Sequence, residues 1–296
     1  MALDLQQREV FGLFVDATFP GLYYAWSTRV DVTFMDFVRQ QSDAPTDALV
    51  WGIRTLGTLH LGQQHQDSDK IACSRSMYGR GLRSLARLLQ HPTTVKSDRT
   101  LGAAVLLAIY EMLDGMGHKS WLTHSNGIGT LFRYRGAEAH RDGFGRTLLI
   151  SFRSFLIADA LIRGEPCFLA ETAWRSVIKD AVRTEGLMGK GSELGDLVEY
   201  AFEEITVCPG LVAWARAIST TKEADALQPQ LLMKEIVRTR GRLADLHGQL
   251  EMLTCTSLDD KGLENRPDLT GPIPVEVITI LARFSLKGLQ DCPEVF

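Results

Sequence analysis

The adjacent residues Tyr110 and Glu111 are the first place in this sequence where acid–base chemistry could occur. They lie at the end of the most apolar stretch of the chain, which begins at Leu101, so the Glu111 carboxyl group is expected to be held partly out of water. A desolvated carboxyl group can act as a general acid or base. It could equally bond a backbone group or an arginine and fix the packing of helices. The sequence leaves both interpretations open.

Trp121 and His124 are three positions apart, with His118 just before them. This spacing places the indole and the imidazole on one helical face. Together with His118 they could line a pocket that offers one aromatic wall and one hydrogen-bonding group. His124 is therefore a candidate catalytic residue beside Tyr110 and Glu111, and Trp121 and His118 are candidate ligand-binding residues. The alternative is that these side chains pack against the apolar helix that precedes them.

Aromatic residues are frequent in the first third of the chain, and several occur where loops are expected. An apolar cavity with a few polar tips is the usual composition of a small-molecule site. The predicted lid or wall of such a cavity consists of Tyr23, Tyr24, Trp26, Phe34 and Phe37. The same residues could instead plug the end of a stack of helices.

Motifs for metal, nucleotide or covalent chemistry do not occur. The seven histidines show no H-x-x-x-H spacing and the five cysteines no C-x-x-C pair, so neither a metal site nor a disulfide framework is expected. The glycines between 186 and 195 do not fit a phosphate-binding loop, and Ser125 and Ser151 lack a G-x-S-x-G frame. We therefore expect no cofactor.

Composition and charge indicate an ordinary soluble globular protein of 296 residues, 45 % apolar and 23 % charged. The net charge is -4, and the nearest approach to a basic run, Arg238 to Arg242, is flanked by Glu235 and Asp245. Direct binding of nucleic acid is not expected, because it needs a concentrated positive face. The apolar stretch 101–110 is about half of the roughly 20 residues that cross a bilayer, so no membrane span is expected. The polar N-terminus does not resemble a secretory signal, which favours a cytoplasmic or nuclear location over export.

Helical patterns run through most of the chain. Apolar residues recur at three-, four- and seven-residue spacings between capping residues and glycines. Helices are predicted at about 49–60, 68–89, 101–113, 120–134, 144–162, 171–183, 196–207, 211–219 and 230–253. The segment 101–113 is apolar nearly all round and is predicted to be the central helix. We predict an all-α protein, a multi-helical bundle or a solenoid-like stack of helical hairpins, that forms a single helical domain over residues 1–296.

Several short motifs follow one another in an order typical of one protein family. The most specific lie between Thr100 and Gly136, where LGAA, YE, WLTH and RG occur in turn. Ala48 to Gly62 and Tyr78 to Leu89 precede them, and Trp174 follows. Over residues 10–220 the chain resembles the regulatory domain of the fungal binuclear zinc-cluster transcription factors.

This resemblance implies a helical scaffold that in regulators senses small molecules or contacts other proteins. In that family a cysteine-rich zinc-cluster module binds DNA. The printed sequence contains no counterpart of this module, so we expect the function to lie in the helical part alone, without direct contact to DNA.

Two functions are compatible with these observations. The first, narrowly favoured, is a stand-alone protein that binds an apolar small molecule and acts as a cofactor-free cyclase or isomerase of the pericyclase type in fungal secondary metabolism. Holding a flexible substrate in a reactive conformer would lower its barrier without a covalent step. The alternative is a transcriptional regulator or co-regulator without its own DNA-binding module, acting through protein partners. A homodimer is compatible with either. An inactive gene product is a third possibility, disfavoured by the consistent helix signals.

Overall fold

The computed structural model describes residues 5–18, 31–39, 48–114, 120–188, 192–220 and 227–259. Within these ranges the chain forms helices joined by turns and bends, and the prediction of an all-α protein is confirmed. Two short 3-10 helices, Ala137–His140 and Phe168–Ala170, separate some of the α-helices. The α-helices are α1 Leu5–Thr18, α2 Phe34–Arg39, α3 Ala48–Gln64, α4 Ser68–Leu89, α5 Asp98–Asp114, α6 Ser120–Arg135, α7 Gly143–Arg163, α8 Thr172–Leu187, α9 Glu193–Ile205, α10 Cys208–Thr220 and α11 Leu227–Asp259.

The helix ends follow local signals in the sequence. The Asp67 side chain accepts a hydrogen bond from the Lys70 backbone N–H and so caps the start of α4. The Ser97 hydroxyl oxygen accepts the Thr100 N–H at 3.2 Å and does the same for α5. Gly136 and Gly164 follow α6 and α7 with φ of 81° and 68°, a left-handed conformation in which glycine has no Cβ penalty.

The described residues divide into two compact units, one up to Arg153 and one from Ser154 onward. In the first unit α3, α4 and α5 contact one another pairwise, while α1 packs on α3 and α6 packs on α5. All residues of α5 from Thr100 to Glu111 are buried. The prediction of a central apolar helix is therefore confirmed for this unit, which is a bundle around α5.

In the second unit α9 contacts α8, α10 and α11, and α10 also packs on α11. Apolar side chains of α10 and α11 form one buried cluster that includes Leu211, Val212 and Leu232. Glu203 of α9 is buried but lies 2.9 Å from Arg175 Nε and 3.0 Å from Lys179 Nζ. Burial alone would raise the pKa of Glu203, yet these two cations together lower it, which keeps the carboxylate charged.

Helices long and apolar enough to span a membrane are absent from the described ranges.

The corner between α6 and α7 in the first unit is tightly closed. Arg135 at the end of α6 pairs with Asp98 at the start of α5, and the His140 ring nitrogen Nδ1 lies 2.8 Å from the Gly145 carbonyl oxygen. A Cβ atom on Gly145 would lie only 2.1 Å from the Ala139 carbonyl oxygen. The backbone of the 3-10 helix can therefore approach α7 so closely only because this position lacks a side chain.

We expect Gly145→Ala to destabilise the protein, since the added methyl group must displace backbone. Overpacking of this kind costs about 1–3 kcal/mol. Gly127 is the matched control: it lies within α6, and a Cβ there meets nothing within 4 Å. Gly127→Ala should raise the free energy of unfolding by up to about 1 kcal/mol through helix propensity. Urea denaturation of both variants measures the difference, and equal stabilities would contradict the close approach at Gly145.

Because of His140, we expect the free energy of unfolding to decrease as the pH falls below 7. Burial lowers its pKa from 6.5 to about 4, so the folded state keeps the ring neutral while the unfolded chain binds a proton below pH 6.5. The unfolded state then binds more protons between these two values, and the free energy of unfolding decreases as pH falls through this window. The contribution lost between pH 7 and pH 5 is about 2 kcal/mol.

The variant His140→Asn isolates this effect, because an amide can still donate to the Gly145 carbonyl but does not titrate. Denaturation curves give the free energy of unfolding of the wild type minus that of the variant. We expect this difference to decrease as the pH falls from 7 to 5, because only the wild type loses the contribution of His140. A difference that stays constant over this range would refute the assignment to His140.

Candidate functional site

A buried carboxylate joins three helices of the first unit. Glu111 lies near the end of α5, and its side chain is 10 % exposed. Its Oε1 accepts a hydrogen bond from the Tyr78 hydroxyl of α4 and lies 3.0 Å from His124 Nε2 of α6. Its Oε2 is buried without a hydrogen-bond partner among the described residues. The Glu111 cluster, as we name Glu111, Tyr78 and His124, thus connects α4, α5 and α6 through one oxygen atom.

A second polar contact lies beside the first. The Tyr110 hydroxyl is 3.1 Å from Ser74 Oγ, and Ser74 Oγ donates to the Ile71 carbonyl at 2.7 Å. Because a serine hydroxyl has one proton, Tyr110 must be the donor to Ser74. Burial raises the pKa of Tyr110, which the bond to Ser74 offsets in part. Tyr110 therefore stays neutral and holds its proton towards α4.

The two tyrosines also pack on each other. The rings of Tyr78 and Tyr110 stack with centroids 4.8 Å apart and an interplanar angle of 22°. Tyr78 and Ser74 are four positions apart on α4, while Glu111 and Tyr110 are neighbours on α5. One face of α4 thus meets both polar groups of α5, and the aromatic stack separates the two hydrogen bonds.

A salt bridge closes the end of α5. Arg75 Nε and Nη2 lie 3.1 and 3.3 Å from the two carboxylate oxygens of Asp114, a two-pronged geometry that suits guanidinium and carboxylate. This pairing raises the pKa of Arg75. Because Arg75 is 52 % exposed, solvent screens the pair and its contribution to stability is small. Its effect is to fix where α4 and α5 meet.

The Glu111 cluster has one member that reaches water. The His124 side chain is 39 % exposed, against 10 % for Glu111. When His124 donates to Glu111 Oε1 through Nε2, the neutral ring leaves Nδ1 as an acceptor. A carboxylate that orients an imidazole in this way can support proton transfer. The same contacts also fix the packing of three helices, the other interpretation of Glu111 in the sequence.

The structure brings together Tyr110, Glu111 and His124, the three candidate catalytic residues. Phe34 and Phe37 lie elsewhere in the first unit, against Phe144 of α7: Phe37 stacks on it at 3.9 Å and Phe34 meets it edge-on at 4.9 Å. The Trp121 side chain and the whole of Tyr23, Tyr24, Trp26 and His118 lie outside the described residues. Their proposed part in ligand binding stays a prediction.

Sequence reasoning missed Tyr78 and Ser74 as members of the polar region. The spacing of Tyr78 from Ile71 and Leu85 predicts that it lies on the apolar face of its helix. A buried tyrosine hydroxyl nevertheless needs a partner, and Ser74 lies one turn before it on the same face. This pair of hydroxyl groups on an otherwise apolar stripe was the available signal. Groups of histidine, cysteine and acidic side chains arranged to hold a metal are not found within the described ranges.

Removal of the Tyr78 hydroxyl tests whether the cluster stabilises the fold. Tyr78→Phe leaves Glu111 Oε1 with His124 alone, and loss of a buried hydrogen bond to a charged group costs about 1–3 kcal/mol. Tyr134→Phe is the control, because Tyr134 is 53 % exposed on α6. Removal of its hydroxyl group should lower the free energy of unfolding by less than about 0.5 kcal/mol. Equal effects of the two substitutions would contradict the proposed contact.

A double-mutant cycle assigns the energy to the pair. In a Glu111→Gln background, Tyr78→Phe should cost less than in wild type, with a coupling of about 0.5–3 kcal/mol between the two residues. Thermal and urea denaturation of the four proteins gives this coupling. Strictly additive effects would show that the two side chains do not interact.

Comparison with known proteins finds a family match for part of this chain. Residues 41–180 match the family model described as the fungal specific transcription factor domain. An uncharacterized protein of Emericella nidulans is 34 % identical over 275 residues, which cover 92 % of this chain and 58 % of that protein. The chain thus spans little more than half the length of this relative. No solved structure matches the present chain significantly. The Glu111 cluster lies within residues 41–180, the part of the chain that matches the fungal specific transcription factor domain.

Proposed function

We propose that this chain is a regulatory domain of a fungal transcription regulator and controls transcription through contacts with other proteins. The observation that carries the proposal is the family match over residues 41–180, which covers α3 to α7 and the first part of α8. This region contains the bundle around α5 and the Glu111 cluster. The proposal places the domain in the nucleus, or in the cytoplasm before entry, and concerns the helical domain alone.

The contacts in the first unit suit a scaffold that must keep its shape. Tyr78 and His124 hold Glu111, Ser74 holds Tyr110, and Arg75 holds Asp114. Each bond joins two different helices, so the polar groups fix the register of α4, α5 and α6. A rigid bundle presents its outer surfaces in a constant arrangement, which is what a partner protein needs.

The second unit offers one long helix, α11, which includes the helix predicted at about 230–253. α11 buries Leu232, Ile236 and Leu243 at helical spacing. Its other side exposes Val237 and Met252 at 60 % and 64 % among charged residues. The inner face is thus occupied, and the outer face carries apolar side chains that a partner could cover.

The first function considered from the sequence, a cofactor-free cyclase or isomerase, gains no support from the family match or from the relative. Phe34 and Phe37 pack on Phe144, so these two rings have a structural partner. Glu111 and Tyr110 likewise have partners in the bundle. We therefore prefer the function of a transcriptional regulator, which the family match over residues 41–180 supports.

A tethering experiment tests this function. The whole chain is fused to a heterologous DNA-binding module and expressed in a fungal strain with the matching operator upstream of a reporter gene. We expect a several-fold change in reporter transcription relative to the DNA-binding module alone. A fusion that occupies the operator, as measured by chromatin immunoprecipitation, without changing transcription would overturn the proposal.

The same assay contains its own structural control. Gly145→Ala should weaken the effect to the extent that it unfolds the domain, while Gly127→Ala should leave it unchanged. Immunoblots of the fusions establish that the proteins are present in equal amounts. If both variants keep the full effect although Gly145→Ala is unfolded in solution, the activity does not come from the folded domain.

A further inference from the structure

Positive charge is segregated in one segment of the first unit. No acidic residue occurs between Asp69 and Asp98, although the whole chain carries more acidic than basic residues. This segment covers nearly all of α4 and the turn before α5. Its basic residues are Lys70, Arg75, Arg80, Arg83, Arg87 and Lys96. They stand three to nine positions apart and therefore do not look like a basic run until they are placed on a helix.

Three of these arginines share one exposed face of α4. Arg80, Arg83 and Arg87 are spaced at i, i+3 and i+7, which aligns them along the helix over about 10 Å. All three are exposed. Among the described residues none of them has a carboxylate within salt-bridge distance. We call these three residues the α4 basic face.

The lack of carboxylate partners distinguishes this face from eight other arginines in the described part of the chain. Eight arginines elsewhere have an acidic side chain within 4.0 Å: Arg75, Arg135, Arg141, Arg163, Arg175, Arg183, Arg238 and Arg242. Five of these pairs lie within one helix or between neighbouring helices of the second unit. Carboxylate pairing is thus frequent among the described arginines but not general, since the exposed Arg216 and Arg240 also have no carboxylate within 4.0 Å among the described residues. The α4 basic face differs in that three such arginines occur within eight residues, 80–87, on one side of a single helix.

An aromatic side chain lies at the edge of this face. The Arg80 guanidinium is 5.2 Å from the ring centroid of Trp51 in α3, and the Arg54 guanidinium is 5.5 Å from the same ring. Cation–π contact holds both arginine side chains over the half-buried indole. The face therefore combines oriented guanidinium groups with adjacent apolar surface.

We propose that the α4 basic face binds an acidic segment of a partner protein. Guanidinium groups match carboxylates with two parallel hydrogen bonds, and clustered arginines recognise acidic motifs in proteins. The length of about 10 Å suits three or four extended residues or two helical turns. Trp51 gives an apolar residue beside the acidic ones a surface to contact.

The surroundings favour a short peptide over a nucleic acid. Asp67 and Asp69 lie at the start of the same helix, and Asp114 lies beside Arg75. These carboxylates would repel a long polyanion that continued along α4, but a short segment ends before it reaches them. The net charge of -4 on the whole chain acts against duplex DNA in the same way.

This inference names the class of partner for the proposed function and rests on that function for its biological meaning. Binding is tested without transcription, so the two can fail separately. The probe is a fluorescein-labelled 12-residue peptide with six glutamates and one tryptophan, and its matched control has glutamines in place of the glutamates. Fluorescence anisotropy with the full chain at low salt measures the dissociation constants.

Two triple variants of equal charge change decide the result. Arg80→Gln/Arg83→Gln/Arg87→Gln removes the α4 basic face, and Lys234→Gln/Arg238→Gln/Arg240→Gln removes three exposed cations from α11. We expect the first to weaken binding of the acidic peptide about tenfold and the second to leave it within about twofold, with both variants folded by circular dichroism.

Three outcomes would overturn the proposal. Equal loss in the two triple variants would mean that only net charge matters. Equal binding of the glutamate and glutamine peptides, or no binding of either, would mean that the face does not recognise carboxylates. Tighter binding of a 20-base-pair duplex, lost in the α4 variant alone, would assign the face to nucleic acid. A normal tethering result with a failed peptide assay would leave the regulatory function in place and remove this surface from it.

Discussion

The first unit depends on one constraint, the burial of the Glu111 carboxyl group at the end of the apolar stretch 101–110 of α5. A buried charge is costly unless it is hydrogen-bonded, and its partners come from two other helices, Tyr78 on α4 and His124 on α6. The helices α4 and α6 must therefore approach α5 at one level. Once this level is set, Tyr110 meets Ser74 one turn away and Asp114 meets Arg75, so the other polar contacts follow from the first.

Close packing makes this arrangement possible. A Cβ atom on Gly81 of α4 would lie 2.9 Å from Leu107, and one on Gly52 of α3 would lie 3.0 Å from Leu106. These glycines let α3 and α4 approach α5 within the reach of short hydrogen bonds. Because the interior is dense, removal of one polar partner is not compensated by water or by movement of neighbouring side chains. The stability of the bundle and the geometry of the Glu111 cluster are thus aspects of the same packing.

Much of this could be predicted from the sequence, and the limits have physical reasons. Helix ends were found because Asp67, Gly136 and Gly164 act locally, and α5 was identified as central from its apolar composition. Glu111 and His124 were named because each lies in an unusual local context. Tyr78 was missed because hydrophobic spacing does not record where a hydroxyl group finds its partner. The α4 basic face was missed because its arginines are three and four positions apart, so they do not form a continuous basic run in the sequence and align only on the helix. The division into two units was not predicted, since no linker composition marks it.

The packed helical bundle of the first unit holds its polar groups in contacts between helices, and the α4 basic face lies on its outer surface. Under the proposed function, the buried polar groups fix the shape of the domain, and the α4 basic face is the surface proposed to bind a partner protein. The central claim is that Glu111 holds α4 and α6 to α5, and amide hydrogen exchange of the Glu111→Ala variant tests this most directly. The account predicts that protection falls in α4 and α6 together while α10 and α11 keep theirs. Unchanged protection in both α4 and α6 would contradict it.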